Sequence, residues 1–211
     1  MAALQLSADD LGKLEEAAEM VGGVEILVEI ANEVALRQQE ELWRKKVGDA
    51  AEKAFLEAIS DLIHVRIDNP DHGFDFELKH PSNNLNYLVE IKSTVQFKES
   101  VQMSSTQGKT ARDNSNKYAL CVVSRQNSDD EVNKDYFIQN AAFLITVGTL
   151  VRDKVNGIEN GLFSIRSLKY DDEASSSLDN EKYSVFVGKK AWSKGLPFYD
   201  FINFLKTYFN L

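Results

Sequence analysis

The stretch Tyr87-Leu88-Val89-Glu90-Ile91-Lys92-Ser93-Thr94 limits the folds open to this chain more than any other. Apolar and β-branched residues dominate it, so it reads as a strand. A buried strand should be apolar throughout, yet this one holds a carboxylate and an ammonium at positions i and i+2. Side chains at that spacing point to one face of a sheet, so Glu90 and Lys92 stand side by side. Burying such groups is costly unless they are paired or hold something else. A core strand that keeps the pair in its middle marks a site.

A second strand, Phe74–Leu78, places Asp75 between two aromatics, just after the turn signal Asn69-Pro70-Asp71-His72-Gly73. Pro81-Ser82-Asn83-Asn84 joins the two strands, which predicts an antiparallel pair. The order Asp75, then Glu90-Ile91-Lys92, resembles the PD-(D/E)XK nuclease signature. A wider frame surrounds it. Gly48-Asp49-Ala50-Ala51-Glu52 opens a helix, Gly73-Phe74-Asp75 and Val89–Thr94 follow, Gln107 lies on a later helix, and Tyr118–Val123 forms another strand. This order is similar to that of the NO VEIN carboxy-terminal domain family, a branch of the restriction-endonuclease-like fold. The likeness is one of motif order and spans roughly the second three quarters of the chain. Phe74 stands where the name motif has proline.

The resemblance implies an α/β fold: a restriction-endonuclease-like mixed central sheet flanked by helices, with a helical amino-terminal extension. It implies Mg²⁺ or Mn²⁺ held by Asp75, Glu90, the Ile91 backbone carbonyl and Glu52. Lys92 would orient or deprotonate the attacking water, and Gln107 would touch the scissile phosphate or a ligand. Family members often sit at the end of helicases or Hsp90-like ATPases. The implied activity is therefore a metal-dependent DNA endonuclease, in a bacterial defence or restriction system, working with an ATPase or helicase in cis or in trans. DNA and RNA are not distinguished as substrates. The alternative is a catalytically inactive module of the same fold that binds nucleic acid or a partner protein, or forms a homodimer.

Plainer readings stand beside these. Glu77-Leu78-Lys79 repeats the Glu-x-Lys pattern, so such a pair can be a salt bridge on a solvated edge. The flanks separate the two: Glu90 and Lys92 have apolar neighbours on both sides, whereas Lys79 runs into His80-Pro81. Ser104-Ser105-Thr106-Gln107 is a capping box with Gln107 at N3. That role and an active-site role are compatible, because N3 lies at the positive end of a helix. Gly108-Lys109-Thr110 imitates the end of a P-loop, but Met103 occupies the position of its first glycine. Lys109 reads as a solvated lysine within reach of a phosphate. His64, His72 and His80 lack zinc-ligand spacing.

The net charge of −9 argues at first sight against a nucleic-acid binder. Its distribution matters more. Residues 1–61 hold six basic and fourteen acidic side chains, a net of −8, whereas residues 86–125 hold six basic and three acidic, a net of +3. The segment around the proposed site is locally basic, which permits phosphate binding at weak affinity. Cys121 is the single cysteine and lies in an apolar run, so it reads as inert core. No apolar run of about 18 residues is present and no signal-peptide pattern opens the chain, so a cytoplasmic protein without a membrane span is expected.

The sequence divides into residues 1–47, a helical lead-in, joint or dimerisation arm, and 48–211, the nuclease-like domain. Helices are predicted from Ser7 to Met20, stopping at Gly22-Gly23, and from Val24 to Lys46. Gly48 is expected to break or bend the chain before a helix over Asp49–Asp61. Then come a strand over Leu62–Ile67, a helix over Ser104–Asn114, a strand over Lys117–Ser124 and a largely helical stretch over Asp130–Val155. Strands over Leu162–Tyr170 and Lys182–Gly188 flank a solvated loop, Asp171–Ser177. Trp192–Pro197 is a turn, with Trp192 anchoring a last helix over Phe198–Phe209.

Overall fold

The computed structural model describes residues 8–60, 62–68, 73–82, 84–95, 100–127, 131–159, 174–179 and 182–211. The chain divides into two compact units, Met1–Lys46 and Val47–Leu211. The first holds α1 (Ala8–Val21) and most of α2 (Val24–Ile59). Gly22 and Gly23 end α1 at positive φ, 101° and 131°, and both amides donate to the Ala18 carbonyl. Beyond that turn α2 exposes Val24, Ile26, Val28, Ile30, Val34, Leu36 and Leu42.

α2 runs through Gly48 without interruption, so the expected break is absent. One glycine inside a helix costs only about 1 kcal/mol. Burial of Ala51, Ala54, Phe55, Ala58 and Ile59 outweighs that cost.

The second unit is built on a six-stranded mixed sheet. Its strands are β1 (Arg66–Asp68), β2 (Phe76–Lys79), β3 (Asn86–Val95), β5 (Tyr118–Arg125), β6 (Ala141–Leu144) and β9 (Leu196–Pro197). They lie in the order β1-β2-β3-β5-β6-β9. A second sheet has three strands, β4 (Ser100–Ser104), β8 (Lys182–Gly188) and β7 (Ala174–Asp179), in the order β4-β8-β7. β2 and β3 are antiparallel, with Phe76 opposite Val89, whereas β3 and β5 are parallel, with Glu90 opposite Leu120.

Two cores cover the two faces of the large sheet. On one, α2 and α7 (Phe198–Phe209) pack against Phe76, Val89, Ile91, Cys121 and Phe143. There Phe143 and Phe201 stack with ring centroids 4.0 Å apart. On the other, Leu88, Tyr118, Leu120 and Val122 meet α3 (Ser105–Asp113), α5 (Val147–Glu159) and the valines of β8. Odd residues of β3 therefore face the first core and even residues the second, which puts Glu90 and Lys92 on the α3 side.

Several elements differ from the sequence reading. Asp130–Val155 is not one helix: α4 (Lys134–Asn140) gives way to β6 before α5. An apolar run such as Ala141–Leu144 suits either a helix or a strand, and pairing with β5 decides it. The strand expected over Leu62–Ile67 is confined to Arg66–Asp68. β4 lies where the sequence reading has no strand, and the end of the expected solvated loop, Ala174–Ser177, belongs to β7. Pairing with β8 accounts for both. Trp192 ends a short helix, α6 (Lys189–Trp192), and is buried in the second core, so it does not anchor α7, which packs in the first. Ser7, Asp61, the turn over residues 69–72 and the strand expected over Leu162–Tyr170 lie outside the described residues.

α3 is held tightly. A Cβ at Gly108 would approach Val185 Cγ2 to 3.0 Å, and one at Gly148 would overlap the Ala111 carbonyl oxygen. Gly148 thus lets α5 lie directly on the backbone of α3. Gly148→Ala is expected to destabilise the protein by about 1–3 kcal/mol through overpacking. A lower urea midpoint at unchanged slope would register it, and an unchanged midpoint would contradict the close packing.

Candidate active site

Glu90 is fully buried, with no exposed surface, in the middle of β3. Its Oε1 takes an ion pair from Lys92 Nζ at 2.5 Å and a hydrogen bond from Gln107 Nε2. Its Oε2 has no hydrogen-bond partner. The Lys92 side chain is 28% exposed, so the pair has one end in the interior and one towards solvent.

Gln107 does two things at once. Its backbone N–H donates to Ser104 Oγ at 3.2 Å and its Oε1 accepts from the Ser104 N–H at 2.8 Å, completing the capping box. The amide nitrogen is left over, and it donates to Glu90. The helix cap therefore aims the side chain at the site.

Asp75 lies just before β2. Its N–H donates to the Val89 carbonyl at 3.0 Å, and its Oδ2 accepts from the Ile91 N–H at 2.6 Å. Asp75 lies just outside the β2–β3 ladder, whose last pair is Phe76 with Val89, and its carboxylate reaches β3 at the residue next to Glu90. The N–H and C=O of one strand residue point to the same neighbour. The Ile91 carbonyl therefore lies on the Asp75 side of β3, beyond the last β2–β3 pair, Phe76 and Val89.

Glu52 is on α2, next to buried Ala51, and is partly exposed. Burial raises its pKa, and the charges of Asp75 and Asp49 raise it further, against the pull of Lys92. Burial likewise raises Asp75, against the Ile91 N–H and Lys92. Burial pushes Glu90 up to about 7; the Asp75 and Glu52 charges add to this, while Lys92 opposes it. Three carboxylates thus feel one another with Lys92 as the shared counter-charge.

The donors divide into unequal groups. Glu90, Lys92 and Gln107 are in direct contact, Asp75 is bonded to the backbone between Glu90 and Lys92, and Glu52 is coupled through charge. Among the described residues no three His, Cys, Asp or Glu side chains are close enough to hold a metal ion as they stand.

The second Glu-x-Lys differs in kind. Glu77 and Lys79 pair at 3.0 Å, and Lys79 also reaches Asp68 across the edge of the sheet at 3.0 Å. Asn86 Nδ2 donates to Glu77 at 2.6 Å, so this carboxylate has partners where Glu90 has an orphaned oxygen. Lys109 is engaged by Glu159 at 3.1 Å and lies over the Tyr183 ring. Gly108-Lys109-Thr110 is inside α3, with Gly108 buried, and forms no phosphate loop.

Sequence reasoning missed a neighbour of the site. Tyr118 is fully buried at the start of β5, and its hydroxyl donates to the Gly73 carbonyl at 3.1 Å. The available signal was a phenol opening an apolar strand, since a buried hydroxyl needs a partner.

No helix among the described residues is long and apolar enough to cross a membrane. No curated protein and no solved structure matches the chain. Residues 46–134, which include Glu52, Asp75, Glu90, Lys92, Gln107 and Tyr118, match the family described as Protein NO VEIN, C-terminal.

Proposed function

We propose that this chain is a metal-dependent endonuclease of the PD-(D/E)XK kind. The observation that carries the reading is the buried Glu90, with one oxygen bound by Lys92 and Gln107 and the other unpartnered, beside an Asp75 carboxylate bonded to the Ile91 N–H. A purely structural ion pair has no reason to leave a buried carboxylate oxygen unsatisfied.

The donors suit a hard divalent cation. Mg²⁺ or Mn²⁺ would rest on Asp75, Glu90 and the Ile91 carbonyl, with Glu52 nearest as a further ligand. When bound, the ion would supply positive charge to the attacking and leaving oxygens of a phosphodiester. The chain's own residues do the rest. Lys92 carries its ammonium from Glu90 towards solvent, where it can orient a water and stabilise the negative charge that develops on it; taking the water's proton would require the neutral amine. Gln107 fixes the Glu90 carboxylate and stands at the positive end of α3, where an anionic phosphate is favoured. DNA is the proposed substrate, with an ATPase or helicase module in cis or in trans and a role in bacterial defence.

The test is cleavage of supercoiled plasmid by the purified chain with Mg²⁺ or Mn²⁺. Cutting that EDTA abolishes and that Asp75→Ala lacks is the expected result. Equal cutting by both proteins would mark a contaminant. One observation favours a second reading, an inactive nuclease-fold module: no three carboxylates are drawn together among the described residues. That reading predicts nucleic-acid or partner binding unaffected by Asp75→Ala, with no metal-dependent cutting.

A further inference from the structure

We infer that Tyr118 is a positioning residue, and that it and α3 together fix the Asp75 carboxylate against Glu90. The inference rests on the nuclease reading of the site.

Asp75 has no regular strand before it, because β2 begins at Phe76. Its position depends on what holds the bend over residues 73–75. Gly73, two residues earlier, is at φ +80°, a conformation that favours glycine. Its carbonyl receives the Tyr118 hydroxyl at 3.1 Å. Its α-carbon lies against α3: a Cβ there would overlap Thr110 Oγ1 and come within 3.2 Å of Thr106 Cγ2. Thr110 is itself tied down, its hydroxyl donating to the Thr106 carbonyl at 2.9 Å.

Gln107 lies on this same turn of α3 and donates to Glu90. One helix therefore holds both carboxylates, Glu90 through Gln107 and Asp75 through Gly73. Tyr118 closes the arrangement from below. It stands on the face of the sheet that carries Glu90, with Leu88 beside it in the β3–β5 register, and its hydroxyl spans to the Asp75 bend. The phenol touches neither carboxylate oxygen among its hydrogen bonds, so its action on the site runs through the Gly73 backbone.

Groups that orient metal ligands without binding the metal typically change its affinity by about 10–100-fold. Tyr118→Phe keeps the ring and removes only the hydroxyl. The experiment is calorimetric titration of Mn²⁺ into wild type and Tyr118→Phe, with plasmid cleavage measured against Mn²⁺ concentration. About tenfold weaker Mn²⁺ binding is expected, with a parallel rise in the Mn²⁺ needed for half-maximal cutting and a smaller fall in turnover at saturating Mn²⁺. Gly73→Ala, which presses on Thr110, is expected to shift the metal requirement in the same direction. A merely structural tyrosine would lower the melting temperature and leave the metal dependence of the folded fraction unchanged, and that result overturns the inference. Wild type that cuts and binds Mn²⁺ no better than Tyr118→Phe overturns the positioning role alone. Wild type that neither binds Mn²⁺ nor cuts removes the nuclease reading and the inference with it.

Discussion

Lys92→Ala is expected to lower metal-dependent plasmid cleavage by about 10²–10³-fold, the usual contribution of one preorganised group that orients the attacking water and stabilises developing charge. The loss should be in turnover. Lys92 is a cation, so it binds no metal; it orients water. Mn²⁺ binding should survive at a pH above the titration of Glu90. At lower pH it should weaken, because the 2.5 Å ion pair is the contact that opposes the upward shift of Glu90. Cleavage measured alongside Mn²⁺ titration separates the two effects. Loss of metal binding at every pH would make Lys92 a structural partner of Glu90 rather than a catalytic group.

Glu90→Gln should remove activity and raise stability. The Glu90 carboxyl is raised from its ordinary value of 4.5 to about 7, first by burial. The folded chain then binds a proton that the unfolded chain has released, so stability falls as pH rises from about 4.5 to about 7 and stays low above. A shift of that size corresponds to about 3 kcal/mol. The neutral amide avoids this cost but gives up the pair with partly exposed Lys92, so a net gain of about 1–3 kcal/mol at pH 8 is expected. Below about pH 4.5 the two proteins should converge. Urea denaturation across that range measures it. A variant less stable than wild type at pH 8 would mean that the ion pair outweighs the burial of the charge. The same titration predicts that cleavage by wild type rises with pH through about 7, since protons and metal compete for Glu90.

The site's strands are readable because their patterns are local. Glu90 and Lys92 share a face by strand geometry alone, and the antiparallel pairing of β2 with β3 follows from the turn between them. Ser104 and Gln107 announce the start of α3 by their spacing. The pairing of distant segments is what the sequence hides. Nothing in Ala141–Leu144 says strand until β5 lies beside it, and β4 is stabilised by β8, with Gln102 opposite Phe186. Gly48 misleads because a local propensity of about 1 kcal/mol is set against tertiary burial not visible in the sequence. Gln107 caps α3 and also bonds Glu90, because an amide has both an acceptor and a donor: Oε1 takes the Ser104 N–H and Nε2 donates to the carboxylate. The reach of Tyr118 to Gly73 depends on both β5 and the bend before β2, so only the assembled fold reveals it.

Whether Asp75 and Glu90 hold a divalent ion is decided by calorimetric titration of Mn²⁺ into the purified chain at pH 8, with the Asp75→Ala/Glu90→Gln double variant as control. Saturable binding to wild type that the double variant lacks is the expected result. Absence of binding to wild type, or equal binding to both proteins, would contradict it.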